Sequence, residues 1–409
     1  MKRAFATATA TAWMIVLAAR AAADITVIDI DDKSYRARTV EFVREKEKLF
    51  VKFREVEGRE HLKPAEDIVE IRFKGLELPG APKPGDVRFV FTNGDHVSGE
   101  ARGPGKKPET LALATRHLGT IEVSLLHGSR IEVLANRHLI PADAKSEAGL
   151  DILVTTKNNR PRGTLETLKP DAATYSDLDD DTQKYTLPMA DLAGVYLALR
   201  TPPEDPKGLF AIVTLADGGT LRGRIDRIDQ GTLVFENAYG RTLTMTLDSI
   251  AAVHFRNGRV VYLSDQGCRA DENANYIRGL SPSPSDLSFP YQRDLSVKRT
   301  KLSLRGSSYT KGLGVHSKSA LTYALDGQFS KFRATIGVDD VAGGLGNVVF
   351  EVHVDGKKVF DSGKATGEDE PRDLEIDVAK GKELTLVVQF GEEGNTGDCA
   401  DWAMARLIR

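Results

Sequence analysis

The residues most suited to contacting a ligand lie in the last third of the 409-residue chain. Trp402 offers an aromatic face, and Asp398 and Asp401 place two carboxylates within four residues of it. This combination suits a hydroxyl-rich ring, because the indole packs on the apolar side of the ring while carboxylates accept hydrogen bonds from hydroxyls. The alternative is that Trp402 belongs to the core of the last strand and that the aspartates cap a turn.

Five further residues extend this candidate site. His316 lies in a glycine-bounded GLGVHS segment, and a neutral imidazole both donates and accepts, although a histidine bonded to backbone is the alternative. Asp339 and Asp340 follow an apolar run, so they suit a hydroxyl or a calcium ion, or else they form a turn. Tyr309 and Arg333 complete the set, with structural or surface roles as the alternative.

Catalysis is not predicted. Glycoside hydrolysis needs two carboxylates at a defined separation, which these four aspartates contain in principle. However, the chain has no G-x-S-x-G, H-E-x-x-H or P-loop motif, and its N-terminal half offers no nucleophile or metal signature. We therefore predict a binding protein and keep an unrecognised glycosidase as an alternative.

The candidate site residues lie beside or within runs of alternating apolar residues, which are predicted to be β-strands. Such runs occupy Phe332–Val338, Val348–Val354 and Leu384–Phe390, and Asp355-Gly356 is a hairpin signal. Eight or nine strands over residues 258–409 predict a two-sheet β-sandwich of the jelly-roll kind.

The N-terminal part reads as four copies of a small β unit. The clearest copy has a tight turn at Asp217-Gly218-Gly219 and a glycine, Gly223, inside the next strand. Gly99 and Gly163 hold the same place in two other copies, whereas Ala37 replaces glycine in the first. We number the copies repeats 1 to 4 and predict their spans as 24–74, 85–134, 150–199 and 209–256. The pattern resembles Sm-like or SH3-like five-stranded barrels, and hairpins within a larger sheet are the alternative.

The C-terminal third resembles the NPCBM family of carbohydrate-binding modules. The resemblance rests on four motifs in order, VYLSD, GLGVHS, FRATIGVDD and GDCADW, which begin at Val261, Gly312, Phe332 and Gly397. It implies a galactose-binding-domain-like jelly roll that binds carbohydrate, often as an appendage of glycoside hydrolases. Family members often carry a polar residue at Cys399 and an acid at Met404, so the departures here leave a structural calcium in doubt.

Only two cysteines occur, Cys268 and Cys399. In a jelly roll the first and last strands commonly pair, and these cysteines flank those strands, so we predict a disulfide between them. Two buried free thiols are the alternative.

The first 23 residues read as a secretory signal peptide. Lys2 and Arg3 precede an apolar stretch, and Ala21-Ala22-Ala23 is a small-residue cleavage site. An uncleaved anchor is the alternative, and no later stretch is apolar enough to span a membrane. The net charge of -3 argues against nucleic acid as a partner.

Together these features predict an exported, all-β, non-catalytic protein in the periplasm, at the cell surface or in the medium. Its C-terminal sandwich would bind a glycan through end loops, and its repeats would be spacers or interaction units. The alternative is a cell-envelope scaffold that binds proteins with both halves.

Overall fold

The computed structural model describes residues 25–73, 75–77, 80–178, 183–229, 232–273, 289–392 and 396–409. The chain divides into two compact units, Met1–Arg256 and Asn257–Arg409. Both are built from antiparallel strands, which confirms the all-β prediction. The predicted signal peptide, residues 1–23, lies outside the described residues. Among the described residues, no helix has the length and apolar character needed to cross a membrane.

Each repeat of the first unit contributes five strands and one short 3₁₀ helix. Repeat 1 contains β1 (Ile25–Asp29), β2 (Ser34–Glu45), β3 (Lys48–Glu55), β4 (Glu60–Pro64), η1 (Ala65–Asp67) and β5 (Ile68–Arg72). Repeat 2 contains β6 (Asp86–Phe91), β7 (His96–Pro104), β8 (Thr110–Thr115), β9 (Thr120–Ser124), η2 (Leu125–His127) and β10 (Gly128–Val133), and η3 (Arg137–Leu139) follows it.

The other two repeats have the same order. Repeat 3 contains β11 (Asp151–Thr155), β12 (Arg162–Leu168), β13 (Ala172–Asp177), β14 (Lys184–Pro188), η4 (Met189–Asp191) and β15 (Leu192–Tyr196). Repeat 4 contains β16 (Phe210–Leu215), β17 (Thr220–Asp229), β18 (Thr232–Asn237), β19 (Thr242–Thr246), η5 (Leu247–Ser249) and β20 (Ile250–Arg256). In every repeat the spatial order of strands is four, three, two, one, five, and the 3₁₀ helix carries the chain from the fourth strand to the fifth.

The glycine in the second strand is required by a close backbone approach. A Cβ atom on Gly163 would lie 1.9 Å from the carbonyl oxygen of Ser176, and one on Gly223 would lie 2.0 Å from that of Glu236. In repeat 1, where Ala37 replaces glycine, the strand register shifts immediately after this residue, two positions earlier than in repeats 3 and 4. The glycine position is therefore a point where neighbouring strands nearly touch.

The repeats pair through equivalent residues of their fifth strands. Ile71 of β5 lies opposite Val253 of β20, and Ile131 of β10 lies opposite Val195 of β15. Each is the fourth residue of its strand, so each pair of repeats is related by a local two-fold. Repeats 1 and 4 form one pair, and repeats 2 and 3 form the other.

Repeats 2 and 4 join the two pairs at their first turns. His96 pairs with Thr220, and the buried Asp95 carboxylate accepts a hydrogen bond from the Arg222 guanidinium at 3.0 Å. All four repeats thus share one hydrogen-bonded strand network and one apolar core.

The second unit contains two main sheets. The first sheet has the order β23 (Gln292–Arg293), β26 (Gly312–His316), β33 (Cys399–Ile408), β28 (Lys331–Val338) and β31 (Arg372–Asp377), with β21 (Val260–Tyr262) also paired to β33. The second has the order β22 (Ala270–Asn273), β27 (Ser319–Ala324), β32 (Glu383–Phe390), β29 (Asn347–Val354) and β30 (Lys357–Thr366). A hairpin of β24 (Leu302–Leu304) and β25 (Ser307–Tyr309), together with the 3₁₀ helices η6 (Leu263–Asp265) and η7 (Asp340–Ala342), completes the unit.

The two sheets pack face to face around one apolar core. Strands β26, β27, β28 and β29 alternate between the sheets in chain order, as in a jelly roll. The rings of Phe350 and Trp402 meet across the sheets, with centroids 5.0 Å apart and planes at 89°. The predicted two-sheet sandwich is thus present.

Candidate functional site

Strands β26 and β28 of the first sheet end, and β33 begins, at the same edge of the sandwich. His316, the last residue of β26, lies opposite Cys399 at the start of β33, and Val338 at the end of β28 lies opposite Ala400. The segments that follow or precede these ends are residues 316–318, 339–347, 391–392 and 396–398. We call them the loop end of the sandwich.

His316 is held at the loop end by two contacts. Its Nδ1 lies 2.8 Å from the carbonyl oxygen of Ser317, so this nitrogen carries the proton and donates. Its ring stacks on Phe289 with centroids 4.2 Å apart and planes at 13°. His316 is buried, whereas Phe289 is 40% exposed, so the aromatic surface offered to solvent is that of Phe289.

Asp398 ties the loops together rather than facing solvent. It is buried, and its carboxylate accepts hydrogen bonds from the Ser317 hydroxyl and from the backbone N–H of Asn347. Burial raises the pKa of Asp398, while the bonds from Ser317 and Asn347 oppose that rise. Asn347 in turn accepts from the backbone N–H of Glu392 at 2.6 Å through its Oδ1. These bonds give the loop end a fixed shape.

Asp339 and Asp340 support the β24–β25 hairpin. Asp339 is buried, caps η7 by accepting from the N–H of Val341, and also accepts from the N–H of Ser303 at 3.0 Å. Asp340 accepts from the Ser303 hydroxyl and from the N–H groups of Arg305 and Gly306. Partial burial opposes the effect, but these bonds lower the pKa of Asp340. Both carboxylates therefore fill the turn-forming role that was the alternative to ligand binding.

Asp401 occupies a glycine-lined notch on the outer face of the first sheet. Gly314 and Gly337 lie opposite it on the two neighbouring strands. The face is covered, because a Cβ atom on Gly314 would lie 2.4 Å from the Leu295 carbonyl oxygen and one on Gly337 would lie 3.1 Å from Leu304. Asp401 is 0% exposed, and its carboxyl lies near that of Asp339 and the backbone of Ser303. Burial, and then the neighbouring Asp339 carboxyl, raise the pKa of Asp401 well above its ordinary value.

The structure corrects the stacking role predicted for Trp402. The residue lies within β33, where strand alternation turns its ring toward Phe332 and Phe350 in the core, and it is only 1% exposed. A ring with no free face cannot stack on a ligand. The alternative stated from the sequence, a core tryptophan, is the correct one, and Asp401 is likewise too deeply buried to contact a sugar.

Of the two remaining predicted site residues, Tyr309 and Arg333, the second is remote from the loop end. Tyr309 lies on β25, where it pairs with Leu302. Arg333 is five residues before the end of β28, and its Nε donates to the Glu375 carboxylate at 2.7 Å. Five residues of strand span roughly 16 Å, so Arg333 is remote from His316 and Asp398.

The predicted disulfide is wrong in this structure, where both cysteines are free. Pairing of β21 with β33 would have brought the two residues together had β21 continued. Instead the chain leaves that strand through η6 and enters the other sheet, where Ala270 pairs with Thr322. The Sγ of Cys268 lies 3.3 Å from the Tyr291 hydroxyl, and Cys399 is buried at the start of β33.

The carboxylates considered from the sequence as calcium ligands contact protein donors. Those of Asp339, Asp340 and Asp398 are occupied by protein donors. Across the described ranges, no group of three or more His, Cys, Asp or Glu residues is arranged to hold a metal ion.

Sequence reasoning missed Phe289 and Asn347. Phe289 precedes β23 by three residues, Asn347 precedes the apolar run Val348–Val354, and neither belongs to a motif. The one available signal for Phe289 was an aromatic residue in a serine- and proline-rich segment, SPSPSDLSFP, where a core position is not expected.

Residues 260–408 match the family model of the NPCBM/NEW2 domain. This confirms the resemblance stated from the sequence for the C-terminal unit. A curated protein of Renibacterium salmoninarum, named "Putative endo-alpha-N-acetylgalactosaminidase", is 33% identical over 107 residues, which cover 26% of this chain and 7% of that protein. The chain thus spans a small fraction of the relative that it matches.

Solved structures with similarity to the chain include carbohydrate-binding modules. CBM51 from Clostridium perfringens GH95 in complex with methyl-galactose is 28% identical, with a TM-score of 0.32, and the match covers 36% of this chain and 99% of that chain. CBM51-2 in complex with GlcNAc and INT domains from Clostridium perfringens ZmpB is 23% identical, also with a TM-score of 0.32, and the match covers 47% of this chain and 44% of that chain.

Proposed function

We propose that this is an exported, non-catalytic carbohydrate-binding protein whose C-terminal NPCBM/NEW2 domain binds a glycan at the loop end. The observation that carries the proposal is the exposed ring of Phe289, held parallel to the buried imidazole of His316. A rigid aromatic ring that presents one face to solvent matches the apolar face of a sugar. The family match supports the ligand class.

The surrounding loops add one charged and one apolar side chain to the proposed site. Lys318 is exposed beside His316, and Leu345 is 61% exposed on the neighbouring loop. The hydrogen bonds of Asp398 to Ser317 and Asn347 hold these two loops in one arrangement. A site formed before binding loses little conformational entropy when a ligand arrives, which favours binding. The affinity should still be modest, because the surface is open.

A non-catalytic role is supported by what the aspartates do. A retaining or inverting glycosidase needs one carboxyl poised as an acid and another facing the sugar or a water molecule. The carboxylates of Asp339, Asp340 and Asp398 accept hydrogen bonds from protein donors. Asp401 is fully buried. The repeats are proposed to act as a spacer or to bind envelope proteins, and we assign the protein to the cell surface, periplasm or medium.

The experiment that tests the proposal is a glycan-array screen of the full chain, with and without calcium, followed by titration of any ligand found. The Phe289→Ala variant should lose binding. Tyr185→Ala is the matched control, because Tyr185 is a surface aromatic of similar exposure, 38%, in the first unit. Binding that is unchanged in Phe289→Ala would remove the loop end as the site, and a blank array with folded protein would favour the envelope-scaffold alternative.

A further inference from the structure

A cleft between repeats 1 and 4 is a second candidate for ligand binding. It has a volume of about 240 Å³ and is lined on its floor by Leu49, Phe210, Ile225 and Phe255, all of which are buried. Its lining therefore includes apolar side chains from both repeats. Ligand sites commonly form between packed units, with an apolar floor and a few polar groups.

Two arginines stand at the cleft. Arg44 of repeat 1 donates to the carbonyl oxygens of Ile225 and Asp226 in repeat 4, at 2.6 and 2.8 Å. Arg224 donates to the carbonyl oxygen of Lys207 at 2.7 Å. Carbonyl groups orient a guanidinium without neutralising its charge, so both side chains keep donors for an anion. Glu47 also lines the cleft, which leaves a net charge of +1 on the lining side chains.

In the other pair the two repeats approach closely at the corresponding position. Gly85 directly precedes the first strand of repeat 2, as Leu209 precedes that of repeat 4. A Cβ atom on Gly85 would lie 2.6 Å from the Cα of Pro170, just beyond the second strand of repeat 3. The cleft between repeats 1 and 4 is therefore not a necessary result of pairing two repeats through their fifth strands.

We propose that this cleft binds a carboxylate carried on a compact apolar group. The apolar part would occupy the floor, and the carboxylate would accept hydrogen bonds from Arg224 and Arg44. Two sources share this chemistry: the C-terminal residue of a peptide that ends in an aliphatic side chain, and a free aliphatic acid. The site is separate from the proposed glycan site, which lies in the other unit.

The test titrates the full chain with N-acetyl-glycyl-leucine, with its C-terminal amide and with 4-methylpentanoate, and follows binding by ligand-observed NMR. Both acids should bind at millimolar concentration and the amide should not. Tighter binding of the peptide assigns a peptide end as the ligand, and equal binding assigns a free acid. Equal binding of acid and amide, or binding by none of the probes, would overturn the proposal.

The Arg224→Gln variant should weaken binding of the acids by roughly tenfold, because a charge-assisted hydrogen bond is lost. Arg227→Gln is the matched control, since Arg227 is an exposed arginine of the same strand whose charge is paired with Asp226. An Arg224→Gln protein that binds as tightly as the wild type would contradict the proposal. If a variant alters the fold, the comparison of acid with amide still tests the proposal, because that comparison uses the wild-type protein.

Discussion

The imidazole of His316 lies parallel to the phenyl ring of Phe289, with the ring centroids 4.2 Å apart and the planes at 13°. The contact fixes an exposed aromatic ring that the backbone alone would leave free to rotate. Removing the Phe289 ring should abolish glycan binding and change the free energy of unfolding by less than about 1 kcal/mol, because an exposed side chain contributes little to the core. Titration calorimetry and urea unfolding of the same Phe289→Ala sample measure the two effects separately. A large loss of stability would show instead that Phe289 has a structural role.

Trp402 should behave as a core residue. Trp402→Ala should destabilise the second unit by about 3–5 kcal/mol, because it removes the ring that Phe332 and Phe350 pack against. In the wild type, Trp402 emission should be blue-shifted and poorly quenched by acrylamide. Emission at the wavelength of a water-exposed indole would contradict this placement.

Asp401 should make the stability of the second unit depend on pH. Its pKa is raised in the folded state, so its contribution to stability is full at low pH and is lost as the pH rises through the folded-state pKa. Asp401→Asn removes this ionisation, so the stability of the variant relative to wild type should increase as the pH rises from about 4. Urea midpoints followed by Trp402 emission at several pH values provide the measurement.

Asp369→Asn is the control for that series. Hydrogen bonds from Thr366 lower the pKa of Asp369, so any effect of its removal should be small and of the opposite sign. A difference between Asp401→Asn and wild type that is the same at every pH would rule out the ionisation of Asp401 as its cause.

The two cysteines should titrate as free thiols. Unfolded, unreduced protein should react with two equivalents of a thiol reagent, in keeping with the two free cysteines. In the folded protein Cys268 should react first, because Cys399 is buried and burial raises the pKa of its thiol. Absence of reactive thiols in the unfolded chain would restore the disulfide predicted from the sequence.

The glycine of the second strand should be intolerant of substitution. Gly223→Ala should destabilise the first unit, since its Cβ would lie 2.0 Å from a carbonyl oxygen and 2.7 Å from the Cα of Asn237. Gly75→Ala is the control, because nothing lies within 4 Å of the position its Cβ would take. Thermal unfolding should show a lower midpoint for Gly223→Ala alone, and equal midpoints for the two variants would refute the close-approach explanation.

Local patterns determined the elements of this protein. Apolar alternation identified the strands of the sandwich, because period-two burial restricts residue choice locally. The turn and glycine that recur in three segments, with a related first segment, predicted four copies of one β unit. The four NPCBM motifs identified the C-terminal family for the same reason, since they are contiguous in sequence.

Tertiary structure alone decided which side chains reach solvent and which elements meet. Alternation along β33 turned Trp402 toward the core and Asp401 toward the covered outer face of the sheet. The passage of the chain to the other sheet at η6 separated Cys268 from Cys399. The contact of Phe289 with His316 and the cleft between repeats 1 and 4 join residues distant in sequence. Such contacts depend on how strands pair and sheets stack, and that choice is made by the summed packing of the whole core, which no short segment encodes.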